Sequence, residues 1–438
     1  MRSSISRRRF IGAGIASLGL GIRSVFGGKP ETPRISGGMF PGKGIIVWHP
    51  EVTSGHSADT AAVQTMVDRG LCELTGQVDP VVALESLMPG IDENSKIAMK
   101  INCIASPSHC WTRWEIAQAV VNRLVQMIGG NFSPGNISIF DQHDIDSHGY
   151  SSDRFPGVEL SSSNQCDSGV LIPTPGRESE LSRFIADADY LINMPVVKNH
   201  NANEFTLGMK NHYGSISPSS WCGNYDALLE INASPGIRDK TSLVILDALF
   251  GTYVSGLDGG PDNWTLHPGG TPNRICMGTD ICVSEHLGQQ MINEQRTALG
   301  IPVLTDYYLH RAGVSPYNLG IIEPAEMDIS FIDASVVDAL DAPILPYAPV
   351  LSGASPNPFS RKTVWKLSVK RDTSISARIV DISGHTIRTI AKTDFSPGVY
   401  PIQWDGTSDS GKRVPTGCYI LSVGTDTSTL AGIVTLVR

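Results

Sequence analysis

The sequence predicts an α/β domain, a mostly parallel sheet flanked by helices, followed by a small all-β sandwich. Three observations predict it. Short apolar runs alternate with helix-period patterns from residue 43 to about 340, the signature of a parallel sheet covered on both faces. A proline-rich stretch, 341–356, then interrupts the chain. Beyond it the apolar period becomes two, as in half-buried antiparallel strands.

At 438 residues the chain is long enough for two or three domains. Apolar residues make up 41% and charged residues 18%, with 44 glycines and 28 prolines, which describes a folded, loop-rich protein and excludes wholesale disorder, collagen and coiled coil. Lysine and arginine total 34 against 43 acids, a net charge of −9 that argues against a phosphate-neutralising nucleic-acid binder.

Residues 1–28 read as a targeting segment. Arg7, Arg8 and Arg9 precede Phe10, Ile11 and an uncharged Gly/Ala/Leu/Ile run to Ile22. A helix over 11–22 would be about 18 Å long against a hydrocarbon core of about 30 Å, too short to span unaided. The arginines followed by Phe-Ile resemble a twin-arginine export signal, which implies the twin-arginine export machinery as a partner and a periplasmic, cell-surface or secreted product. Ser24-Val25-Phe26 matches the small-residue cleavage pattern poorly, so a cleaved signal and an uncleaved anchor both stand. No later stretch is apolar for long enough to form a second membrane span.

Strands are expected at 43–49, 96–102, 137–140, 190–197 and 242–249. Ser57 is expected to cap a helix carrying Val63, Met66, Val67 and Leu71. Thr112-Arg113-Trp114-Glu115 reads as a capping box for a second helix, and 178–187 as a third. Eight cysteines lie without any Cys-x-x-Cys pair, so no iron–sulfur motif is present. Cys103 with Cys110 and Cys276 with Cys282 are disulfide candidates, with buried free thiols the equal alternative.

In parallel sheets ligands bind at the carboxyl ends of strands. The segment 193–214 follows such an end and contains Lys-Asn-His twice, at Lys198-Asn199-His200 and Lys210-Asn211-His212. Ammonium groups supply charge, amides supply directed hydrogen bonds, and imidazoles can move a proton or hold a metal. Lys198, His200 and His212 are therefore the catalytic candidates, with Lys100, Asn102, Asn199, Thr206, Lys210 and Asn211 as ligand-binding candidates. A second loop, 141–149, follows another strand and carries Asp141, His143 and Asp144. It reads either as an exposed acidic loop or as a divalent-metal site.

The segment also resembles the signature of the domain of unknown function 362 family: a strand ending in Pro-x-x-Lys-x-His, then Thr-x-Gly-x-Lys-Asn-x-x-Gly. Lys198 and His200, then Thr206, Gly208, Lys210, Asn211 and Gly214, match those positions. Lys100-Ile101-Asn102 is similar to that family's Lys-x-Asn strand end, and Gly278-Thr279-Asp280 to its later turn. Ferredoxin-like cysteine clusters in some members imply redox chemistry, and this chain lacks them. The cofactor is left unassigned: a divalent metal is the expectation from the Asp/His loop, and a redox cofactor is what the family's cysteine-bearing members suggest. Residues 355–438 resemble the immunoglobulin-like module of flagellar hook-capping proteins and type IX sorting domains, through Asn357-Pro358-Phe359, Trp404-Asp405-Gly406 and Gly417-Cys418-Tyr419. That implies an immunoglobulin-like sandwich and cell-surface sorting machinery as a partner. The expectation is an exported protein that binds a small anionic or metal-containing ligand through its Lys/Asn/His loop, a redox or metal-dependent enzyme. The alternative is a non-catalytic surface or periplasmic binding protein attached through its sandwich.

Overall fold

A computed structural model describes residues 37–104, 110–200, 204–219, 224–256, 259–336, 350–351, 354, 356–369, 372–381, 385–396, 398–425 and 429–437. The targeting segment 1–28 and most of the proline-rich stretch lie outside the described residues. Two compact units meet in sequence between Asp333 and Ala334.

The first unit is built on eight strands: β1 (Lys43–Trp48), β2 (Ile97–Lys100), β3 (Ile137–Phe140), β4 (Glu159–Ser161), β5 (Tyr190–Asn193), β6 (Thr241–Ala248), β7 (Arg274–Gly278) and β8 (Asp328–Asp333). Their order across the sheet is β8-β1-β7-β6-β5-β2-β3-β4. Neighbours are parallel except at β7, which runs antiparallel to both β1 and β6. β2, β3 and β5 are buried throughout, which is why each reads as a continuous apolar run.

Helices cover both faces. α1 (Thr60–Thr75) sets Gly70 against Val47 and Met277, where a Cβ would lie 2.6 Å from the Met277 sulfur. α2 (Trp114–Leu124) packs beside α1. On the opposite face α5 (Ile281–Ala298) places Val283 and Leu287 against Gly44, Ile46 and Cys276. The carboxylate of Asp280 caps α5 through Cys282 N at 2.9 Å, and also accepts Gly42 N and Ile321 N.

Several local expectations change. Asp59, not Ser57, caps α1, accepting from Ala62 N at 2.8 Å. The 112–115 box does not form: Arg113 is the cap residue of α2 and makes no side-chain cap bond. The Thr112 hydroxyl donates to Met194 O and accepts from Asn102 N, so tertiary partners take it from the helix. Residues 178–187 are not one helix. Arg177–Leu181 is a strand between Leu171–Thr174 and Ile216–Ser217, and only Arg183–Asp187 is helical. Buried Ser179 and Leu181 alternate with Glu178 and Glu180, a period of two that the acidic content masks. Cys103, Cys110, Cys276 and Cys282 are buried free thiols rather than disulfides.

The paired strands of the second unit are antiparallel, with one parallel bridge between Phe359 and Leu436. Val350–Leu351, Thr363–Val369 and Gly398–Trp404 form one sheet; Thr386–Phe395, Thr373–Asp381, Gly417–Gly424 and Thr429–Leu436 form the other. Trp365, Leu367, Val369, Ile375, Ala377, Ile379, Tyr419, Leu421 and Val423 point inward at every second position. Gly406 and Gly411 adopt φ of +75°, the left-handed turns expected of Asp-Gly and Ser-Gly.

Candidate functional site

Three strands of the parallel sheet end together. Lys100 closes β2, Asp141 follows β3, and Asn193 closes β5. The chain after β5 then forms a hairpin of Lys198–His200 with Glu204–Thr206 and the short helix α3 (Gly208–Asn211).

Lys100 is 1% exposed, and its Nζ donates to Asp141 Oδ2 at 2.6 Å, Ile101 O at 2.5 Å and Asn211 Oδ1 at 3.1 Å. Asn211 gives its own amide protons to Lys100 O and Asn193 Oδ1. Lys198, fully buried, donates to Asn102 Oδ1 at 2.8 Å and Cys110 O at 2.9 Å. Asn102 in turn donates to Asn211 Oδ1 at 3.3 Å. Two ammonium groups far apart in sequence thereby belong to one buried network. Gly214 lies against it, where a Cβ would sit 2.9 Å from Lys100 Nζ.

Register sorts the hairpin residues. Lys198 faces Thr206 and His200 faces Glu204, so all four share one face. Glu204 accepts Lys210 Nζ at 2.6 Å and Tyr225 OH at 2.8 Å, with His200 Nδ1 3.7 Å away. Burial pushes the Glu204 carboxyl up, but the hydrogen bond and charge of Lys210 outweigh it and hold it below its usual value. Among the described residues the buried Thr206 hydroxyl has no hydrogen-bond partner. Asn199 lies on the opposite face, where its side chain accepts Gly256 N and pins the hairpin to the segment after β6.

His212 is 1% exposed, with Nδ1 bonded to Ser215 Oγ at 3.0 Å. Burial, then the Lys100 charge, drives its pKa down to about 3, so the ring is neutral at physiological pH. The acidic loop does not converge. Asp141 turns inward to Lys100 and accepts both His143 N and His143 Nδ1, whereas exposed Asp144 accepts the backbone amides of its own turn. Burial raises the Asp141 carboxyl, yet Lys100 and His143 hold it below the usual range. Among the described residues no three His, Cys, Asp or Glu side chains gather as a metal-holding group.

Sequence reasoning overlooked three residues here and gave a fourth, Asp141, a metal-holding role in place of its pairing with Lys100. Asn193 and Asp141 are the hydrogen-bond partner and counter-ion of Asn211 and Lys100; their position at strand ends was the available signal. Glu204 pairs Lys210 six residues on. Buried Glu285, on α5, accepts Met209 N at 2.5 Å and Tyr308 OH at 2.6 Å, fixing the start of α3. Burial raises its carboxyl to about 7. Segments 105–109, 201–203, 220–223 and 257–258 adjoin the site in sequence and lie outside the described residues.

Residues 97–287 match the family model described as Domain of unknown function (DUF362), and residues 362–429 that of the FlgD Ig-like domain. The comparison with curated proteins gives no match. Among solved structures, the chain is similar to truncated FlgD from Helicobacter pylori, at 16% identity over 19% of this chain and 68% of that one, with a TM-score of 0.15. FlgD from P. aeruginosa is 19% identical over 22% of this chain and 74% of its own, TM-score 0.16. Dimeric latent PorU from Porphyromonas gingivalis is 16% identical over 25% of this chain, TM-score 0.18, and this chain spans 10% of its length. The chain thus joins a DUF362-family region, residues 97–287, to a FlgD Ig-like domain, residues 362–429.

Proposed function

We propose that the first unit binds a small oxyanion, a carboxylate or phosphate, at the Lys198/Thr206 face beside Asn102, Asn211 and Lys100. The observation that carries this reading is the Thr206 hydroxyl: it is buried, unpartnered among the described residues, and directly across the hairpin from Lys198. A buried hydroxyl without a partner costs about 1–3 kcal/mol, a cost that a bound oxygen would recover. Buried lysines are likewise expensive and concentrate at working sites. His200, partly buried beside Glu204, is the imidazole of this site that would transfer a proton, since His212 stays neutral. The arginine-rich start of the chain supports export, and the FlgD Ig-like domain supports attachment at the cell surface.

Thr206→Val tests the reading on the full chain. Valine keeps the shape and removes the orphan hydroxyl, so thermal stability stays level or rises. Titration calorimetry with inorganic phosphate and with succinate should then show binding to the parent protein that weakens at least about tenfold in the variant. The stronger of the two titrants identifies the class. Absence of binding by both, or equal binding by parent and variant, sinks the proposal.

A further inference from the structure

We infer that a cavity beside His212 is a second ligand site, built for a small uncharged molecule that carries a hydroxyl or carboxamide on an apolar body. The cavity has a volume of about 180 Å³, and none of Lys100, Asn102, Lys198 or Asn211 lines it. A cavity of about 150 Å³ holds a benzene ring, so this one accepts a single substituted ring or its aliphatic equivalent.

Three buried polar side chains line it; the Thr279 hydroxyl is committed to Phe40 N and Gly37 O, and the other two give the cavity its hydrogen-bonding character. His212 spends Nδ1 on Ser215, which leaves Nε2 as the ring atom available to a ligand. Asn232 is 3% exposed and commits its amide nitrogen to Met209 O at 3.0 Å and Leu228 O at 2.9 Å, leaving its carbonyl oxygen for the cavity. Ile237, Ile281 and Leu319 supply apolar wall. Arg238 stands at the rim with its charge already paired to Asp239 at 2.7 Å. A neutral imidazole and an amide oxygen offer no counter-charge, so the ligand is uncharged and pairs with both through a donor–acceptor group such as a hydroxyl or carboxamide.

Benzamide is the probe, and benzoate its charged counterpart of the same shape. On the full chain, benzamide should bind saturably by titration calorimetry and shift the His212 ring-nitrogen resonances. Arg238→Trp, at an exposed position, and Leu319→Phe, inside the cavity, fill the space and should each weaken binding at least about tenfold. Circular dichroism confirms that each variant is folded, and the exposed Arg238→Trp change answers the question even where Leu319→Phe does not fold. Absence of saturable benzamide binding overturns the site, as does binding undiminished in the folded variants. Tighter binding of benzoate than benzamide overturns the ligand class.

Discussion

Asn102 accepts a hydrogen bond from Lys198 Nζ at 2.8 Å across 96 residues of chain. Its own Nδ2 donates onward to Asn211 Oδ1, which also receives Lys100 Nζ. One amide therefore joins two buried ammonium groups through its two ends. Asparagine suits this place because it presents an acceptor and a donor without adding charge.

Asn102→Asp separates binding from folding. The carboxylate still accepts from Lys198, now as a charge-assisted bond, while the 3.3 Å bond to Asn211 is lost. Thermal stability should change little. The added negative charge should cut phosphate or carboxylate affinity at least about tenfold in titration calorimetry.

Lys100 and Asp141 form a buried ion pair at 2.6 Å. Lys100→Met leaves the Asp141 carboxylate buried beside a methyl group, and urea unfolding should show a loss of about 3–5 kcal/mol. Adding Asp141→Asn to Lys100→Met should recover part of that loss, because the amide needs no counter-charge. Equal stability of the single and double variants contradicts this account.

Gly214 is required by contact rather than by backbone angle. A Cβ there would meet Lys100 Nζ at 2.9 Å, and Lys100 is held in place by three acceptors. Gly214→Ala should destabilise the protein by about 1–3 kcal/mol in urea and weaken anion binding in parallel.

His212 and Glu285 give stability opposite pH slopes. The folded His212 pKa is depressed from 6.5 to about 3, so its contribution is present above pH 6.5 and is lost as pH falls toward 3, because only the unfolded chain takes up the proton. The folded Glu285 pKa is raised from 4.5 to about 7, so its contribution is present below pH 4.5 and is lost as pH rises through 7. Each slope is about 1.4 kcal/mol per pH unit inside its window. Glu285→Gln keeps an acceptor for Met209 N and a partner for Tyr308. Urea midpoints of the variant against the parent should diverge in its favour between pH 4.5 and 7. Parallel curves would show that Glu285 does not titrate there.

What the sequence by itself determined is local and periodic. The five expected strands appear at their places, with 43–49, 96–102 and 190–197 trimmed, 137–140 unchanged and 242–249 shifted by one residue, and the second unit alternates Trp365, Leu367 and Val369 inward as its period of two requires. The strand-end positions of Lys100, Asn102 and Lys198 were legible for the same reason: an apolar run ends where polar residues begin. Tertiary structure alone decided the rest. It reversed β7, gave the Thr112 hydroxyl to Met194 rather than to the helix, and turned Asn199 to the opposite face of the hairpin from Lys198. It also chose Asp141 as the counter-ion of Lys100 and left Asp144 in solvent. Periodicity records which face of an element is buried, but the partner of a buried charge is set by which strands become neighbours, and that depends on packing across the whole sheet.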